Sequence, residues 1–132
     1  MTTIRREISI AASPEAVWSV IQDIGAVHTR LAPGFVVDTK LEDGPARVVT
    51  FANGVVAREL IVGVDKDARR LAYSVVGGQA THHNASFQVV ADGARATKLI
   101  WITDVLPDSV TATFEAMIDQ GAKAIQKALS NH

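Results

Sequence analysis

The chain has no cysteine, which excludes disulfide staples, thiolate nucleophiles and thiolate metal sites together. That usage fits a reducing compartment, and a cytoplasmic location is expected. Charge of one sign is also lacking: 13 Lys and Arg against 14 Asp and Glu leave a formal net charge of -1, with a pI near 6.4. There is no broad cationic field to attract nucleic acid or anionic lipid, so neither is an expected partner. In MTTIRREISI, Arg5, Arg6 and Glu7 interrupt before an apolar run develops; no signal peptide and no membrane insertion are expected. G-x-S-x-G, a P-loop and G-x-G-x-x-G after a strand are missing as well. A serine triad, nucleotide hydrolysis and a nicotinamide cofactor are therefore unsupported, and no cofactor is expected.

What is present organises itself into one domain over residues 1–132, a length that buries about two thirds of the surface exposed in the unfolded chain. TTIRREISIAA alternates, with Ile4, Arg6, Ile8 and Ile10 on one side, and reads as a strand. SPEAVWSVIQDI follows as a short amphipathic helix: Ser13 suits the N-cap, Pro14 the first helical position, and Val17, Val20, Ile21 and Ile24 the buried face. Gly25 is placed to end it, and AVHTRLAPGF supports one more short helical piece before Pro33-Gly34. From Phe35 to Val105 apolar runs are punctuated by Asp43-Gly44-Pro45, Asn53-Gly54, DKDARR, Gly77-Gly78 and Asp92-Gly93. About six strands joined as hairpins result.

The end reverts to helix over SVTATFEAMIDQGAKAIQKALSN, capped by Asp108 or Ser109. Val110, Phe114, Met117, Ile118, Gly121, Ile125 and Leu129 form one apolar stripe at the helical period, which must cover the sheet. A mid-helix glycine costs about 1 kcal/mol relative to alanine. Gly121, with Ala122, either removes volume to leave a cavity or lets the helix pack closely on a strand.

The stretch VARELIV, residues 56–62, reads as a strand with a carboxylate in its middle. Alternation by itself favours Leu60, Val62 and Val64 as the buried set and leaves Glu59 in water. The element order, together with ISIAASPEAVWSVIQDI, LAPGF, RELIVGVDKDARRLAYSVVGG and the C-terminal helix, points elsewhere. It resembles the START-related (SRPBCC) superfamily, which includes the major birch pollen allergen, polyketide cyclase/dehydrase-like proteins and plant abscisic acid receptors. The resemblance spans essentially the whole chain. Its most specific carrier is the third segment, in which an acidic strand residue, an aspartate turn, an aromatic strand residue and a paired-glycine hairpin occur together.

The resemblance implies an α+β helix-grip fold: a curved antiparallel sheet of about seven strands wrapped around a long C-terminal helix, two short helices after the first strand, and an internal cavity. It also implies that the acid of REL points inward, so that Ala57, Glu59, Ile61 and Gly63 share the inner face. The next strands then place Leu71, Tyr73 and Val75, and His83, Ala85, Phe87 and Val89, on that side. The implied ligand-binding set from the sheet is Val48, Thr50, Phe51, Ala57, Glu59, Ile61, Tyr73, Val75, His83, Ala85, Phe87 and Trp101. Phe114, Met117, Ile118, Gly121, Ala122 and Ile125 complete it from the helix. Abscisic acid receptors carry a longer gate loop and a tyrosine and serine that help hold the ligand. Here the gate region is the short ANGV and the matching positions are Ala85 and Phe87, which argues against hormone-type gating and for a hydrophobic ligand.

A carboxylate in an apolar cavity loses solvation, which disfavours its charged form unless a cation or donors compensate. The polar neighbours expected inside are Thr50, Tyr73 and His83, with His28 near the mouth. Three functions follow. The first is binding of a small hydrophobic ligand of lipid, polyketide or aromatic type, with Glu59 as polar anchor. The second is a polyketide cyclase/dehydratase-like enzyme with Glu59 and Tyr73 as catalytic acid/base groups. The third is an interaction or chaperone-type module, or a homodimer, using Leu60, Val62 and Ile100 on the outer face. Adjacent strand residues point to opposite faces, so His82 and His83 cannot share a metal, and no metal site is expected. Trp18 and Trp101 read as packing residues, with Trp101 near the cavity wall.

Overall fold

The computed structural model describes residues 2–130. β1 (Thr2–Ile10) buries Ile4, Ile8 and Ile10 and exposes Arg5, Glu7 and Ser9. Helix α1 (Pro14–Ile21) starts as the sequence predicts, with Ser13 Oγ accepting a hydrogen bond from the Ala16 amide at 3.2 Å. It stops at Ile21, before Gly25, with the Gln22 amide bonded to the Trp18 carbonyl. Gly25 has a different role: a Cβ there would meet the Leu41 side chain at 3.2 Å, so the glycine permits the close approach of Leu41. The second helical piece is a π-helical turn, Val27–Leu31, which buries both of its end residues.

Six strands follow: β2 (Val36–Glu42), β3 (Ala46–Phe51), β4 (Val56–Asp65), β5 (Arg70–Val76), β6 (His82–Ala91) and β7 (Thr97–Leu106). Each pairs antiparallel with the next, and β1 joins β7, giving the order β1-β7-β6-β5-β4-β3-β2. The ladder slips between Ile61 and Gly63. Such bulges bend a strand and change which way later side chains point. Gly63 therefore pairs with Ala72, and a Cβ on it would lie 4.0 Å from the Ala72 Cβ. It belongs to the outer face, not to the inner face shared by Glu59 and Ile61.

A 3-10 turn (Asp108–Val110) leads into helix α2 (Thr111–Leu129). Neither Asp108 nor Ser109 caps it. Val110 holds the cap position without a side-chain bond, and the Asp108 carboxylate accepts from Thr2 Oγ1 instead, tying the turn to β1. Asn131, assigned to the helix from sequence, lies outside the described residues. α2 crosses the inner side of the sheet and is clamped at the β1 edge by Arg6 Nε to Asp119 Oδ1, 2.6 Å, and by Gln126 Nε2 to the Ser9 carbonyl, 2.9 Å. The Arg6 hydrogen bond lowers the pKa of Asp119. Among the described residues no helix is long and apolar enough to cross a membrane.

Ile118, Gly121 and Ile125 are the buried residues of α2, with Phe114 and Leu129 half-buried on the same stripe. Gly121 serves close packing. A Cβ on it would sit 3.0 Å from Phe35 Cε2 and 3.1 Å from two ring carbons of Trp101. Gly121→Ala is expected to gain helix propensity of about 1 kcal/mol and lose about 1–3 kcal/mol to overpacking. Trp101 is buried and cannot retreat, so a net loss near 1 kcal/mol in urea unfolding is the expected result; a stabilised variant would contradict the packing role.

Candidate functional site

Alternation along β4 and the register with its neighbours decide the site. Arg47 pairs with Glu59, and Glu59 pairs with Val75 on the other side, so all three share the inner face. The carboxylate of Glu59 accepts a hydrogen bond from Arg47 Nε at 2.8 Å, with both side chains more than nine-tenths buried. This is the compensating cation the buried acid requires, because an unpaired charge there would forfeit its hydration. Arg47 also places its guanidinium carbon 5.5 Å from the Tyr73 ring centroid, within cation–π range. Its Nη1 reaches the Ile24 carbonyl at 3.4 Å.

Tyr73 accepts a hydrogen bond from Trp101 Nε1 at 3.2 Å. Burial, and then the charge of Glu59, push the Tyr73 phenol upward from its usual range, so it stays protonated and retains an O–H to donate. Trp101 stacks on Phe87 at 5.0 Å and Phe87 on Tyr73 at 6.2 Å, a ladder of rings across β5, β6 and β7. Offset-stacked aromatic pairs of this kind add to their area burial. Among the described residues, Glu59 Oε2 and Arg47 Nη2 have no hydrogen-bond partner.

Two small voids flank this group, each of about 50 Å³. Phe35, Phe51, Glu59, Tyr73 and Trp101 line both. The first extends past Arg47, Val49 and Phe87 to Gly121 and Ile125, and is lined also by Val27, Leu31, Ala32 and Val36. The second extends past His83 and Thr103 to Phe114, Met117 and Ile118.

Of the residues singled out from sequence, Phe51, Glu59, Tyr73, His83, Phe87, Trp101, Phe114, Met117, Ile118, Gly121 and Ile125 line these voids. Ala57, Ile61, Val75 and Ala85 share the inner face by register but do not line either void. Val48 and Thr50 are misplaced: Val48 pairs with exposed Arg58 on the outer face, and Arg47, Val49 and Phe51 take the inner positions. Thr50 and Phe51 are adjacent in one strand, so only one of them faces inward. Ala122 lines an outer groove with Arg6 and Asp119, packing α2 on β1. His28 lines neither void; its Nδ1 is buried without a partner, and its amide donates to Thr39 Oγ1.

Sequence reasoning missed Arg47 and Phe35, and with them the lining residues Val27, Leu31, Ala32, Val36, Val49 and Thr103. Period-2 alternation through ARVVTF groups Arg47 with Val49 and Phe51, a signal that becomes usable once Glu59 is placed inside. Phe35 stands in a loop and carries no periodic signal.

His83 turns its ring to Phe114, 5.0 Å away, whereas His82 faces out and pairs with Asn84. Burial, and secondarily His82, lower the His83 pKa from 6.5 to about 4. A histidine depressed in the folded state binds its proton more readily when unfolded. Its contribution to stability is thus complete above pH 6.5 and is lost as pH falls toward 4. Chemical unfolding of His83→Gln is expected to be less sensitive to pH across this window than that of the parent. Identical pH profiles would sink the assignment.

The seven-stranded antiparallel sheet crossed by a long C-terminal helix is a helix-grip fold. A family model described as polyketide cyclase / dehydrase and lipid transport matches residues 1–131, and the chain belongs to that family. No curated protein matches the sequence. Similar solved structures include the protein XoxI from Bacillus cereus, 21% identical with a TM-score of 0.86, covering 98% of this chain and 96% of that one. A START superfamily protein from Mycobacterium smegmatis is 15% identical with a TM-score of 0.80, covering 96% of both chains. Norcoclaurine synthase from Thalictrum flavum is 24% identical with a TM-score of 0.73, covering 99% of this chain and 87% of that one. These likenesses concern the fold.

Proposed function

We propose that the protein binds a small hydrophobic molecule, aromatic or polyketide-like and bearing a hydroxyl or carbonyl, between the sheet and α2. The observation that carries this reading is the Arg47–Glu59 pair, buried among aromatic rings beside two voids with hydrogen-bonding capacity left over. Glu59 Oε2 accepts from a ligand hydroxyl, while Arg47 Nη2 and the Tyr73 O–H donate to a carbonyl. Family membership supports a ligand-binding role of this general kind. Native mass spectrometry of protein purified from its own host would identify a retained ligand directly.

The anchor is tested with 2-naphthol and naphthalene as probes. Hydrogen bonds to charged groups contribute about 1.5–3 kcal/mol, so Glu59→Gln is expected to weaken 2-naphthol by about tenfold or more and leave naphthalene unchanged. Equal effects on both probes would remove Glu59 from the site. A second reading, a cyclase/dehydratase-like enzyme, is favoured by Glu59 and Tyr73 lining the same voids. In that case Glu59 acts as base and Tyr73 as acid, and Glu59→Gln abolishes turnover of a polyketide-like substrate. A carrier has no turnover to lose.

A further inference from the structure

The two voids are too small for the ligand that the proposed function requires. An engineered cavity that admits benzene measures roughly 150 Å³, whereas each void here is about 50 Å³. A side chain must leave its place before an aromatic molecule enters. Five residues line both voids, and of these Phe35 alone also lines the outer groove between Pro33-Gly34 and the Lys123, Ala124 and Lys127 stretch of α2. Phe35 therefore borders all three spaces.

Its mounting sets it apart from the other four. Glu59, Tyr73 and Trp101 are strand residues, buried and tied by the ion pair and the indole hydrogen bond. Phe51 is half-buried as Phe35 is, but it stands in β3 and does not line the outer groove, so its ring has no such space to turn into. Phe35 precedes β2 and follows Gly34, which adopts φ +86° with open space around it, a conformation that glycine accepts without strain. The Phe35 ring is half-buried, so moving it outward exposes less new apolar surface than moving Trp101 or Phe87 would. Its carbonyl accepts from the Ala52 amide at 3.0 Å, which holds the backbone while χ1 rotates. In the closed position the ring meets Phe51 edge-on at 5.3 Å and fills the space that Gly121 leaves.

We infer that Phe35 is the movable partition of the cavity and its specificity-determining residue: turned toward the outer groove, its ring merges the two voids, opens them to solvent and sets the largest ligand admitted. This inference rests on the ligand-binding reading above. Ligand then competes with the closed ring, and apparent affinity falls by the fraction of molecules that are open. Trimming the ring removes that penalty.

The test is stopped-flow and equilibrium binding of phenol, 2-naphthol and 2-anthrol to the full chain and to Phe35→Ala, Phe35→Leu and Phe35→Trp. Phe35→Ala and Phe35→Leu are expected to bind 2-naphthol about tenfold faster and to admit 2-anthrol that the parent excludes, while Phe35→Trp slows entry. Parent-like rates and an unchanged size limit in Phe35→Leu would overturn the partition while leaving ligand binding intact. Failure of the parent and of Phe35→Leu alike to bind any of the three probes would overturn the ligand-binding reading, and the partition with it. A readout in the parent covers variants that fold poorly. The chain has four phenylalanines, and after 4-fluorophenylalanine labelling the Phe35 fluorine signal, assigned from Phe35→Leu, is expected to shift most on adding 2-naphthol. A stationary Phe35 signal with shifts elsewhere contradicts the inference.

Discussion

Arg47→Met is expected to lower the free energy of unfolding by about 3–5 kcal/mol, the usual consequence of removing one partner from a buried ion pair. Methionine keeps most of the side-chain length and apolar stem, so the loss isolates the charge. The cause is specific: Glu59 is 7% exposed, and Arg47 is its cation, in contact at 2.8 Å. The double variant Arg47→Met/Glu59→Leu is expected to recover most of the loss, since a well-packed apolar replacement of a buried pair is often neutral or stabilising. Urea unfolding of the two single variants and the double variant measures the coupling directly. A single variant that loses less than about 1 kcal/mol would mean that the pair behaves as a surface pair does. If the pair is retained for ligand recognition, the double variant should be as stable as the parent and lose 2-naphthol.

Trp101→Ala is expected to cost about 3–5 kcal/mol, the range for deleting a large buried aromatic. Trp101 is 9% exposed, stacks on Phe87, donates to Tyr73 and covers Gly121. Its removal leaves a hole on both voids and deprives the Tyr73 oxygen of its donor. Trp101→Phe keeps the stack and loses the indole donor, so less than half of the alanine loss is expected. The same urea series checks both, with an unchanged denaturant slope showing that stability alone has moved. Equal losses for Phe and Ala would place the energy in the Tyr73 hydrogen bond instead of the ring packing.

These predictions concern residues that were unequally legible in the sequence. Ser13-Pro14, the hairpin turns and the alternation of β1 act within a few residues of themselves, and each stands where its local chemistry predicts. The α2 stripe was legible for the same reason, because a helix repeats its face every turn. Local chemistry failed at the ends of elements, where tertiary contacts compete: Gly25 accommodates Leu41 instead of ending α1, and the Asp108 side chain is drawn to Thr2 of β1.

The sequence by itself determined the order of elements, the turns, the covering helix and the family pattern around Glu59. Tertiary structure alone decided the contents of the site. ARVVTF is nearly as apolar on one face as on the other, so nothing local chooses between Val48 with Thr50 and Arg47 with Val49. The β3–β4 register makes the choice by setting Arg47 opposite Glu59. Side chains in a strand alternate, so a slip of one residue would have sent the cation into water and left the acid unpaired. Phe35 arrives from outside the sheet, and its place between the voids depends on the missing Cβ of Gly121, distant in sequence. Pairing and packing over such separations leave no periodic trace, and they are what turn an awkward charge in a strand into one half of a buried ion pair.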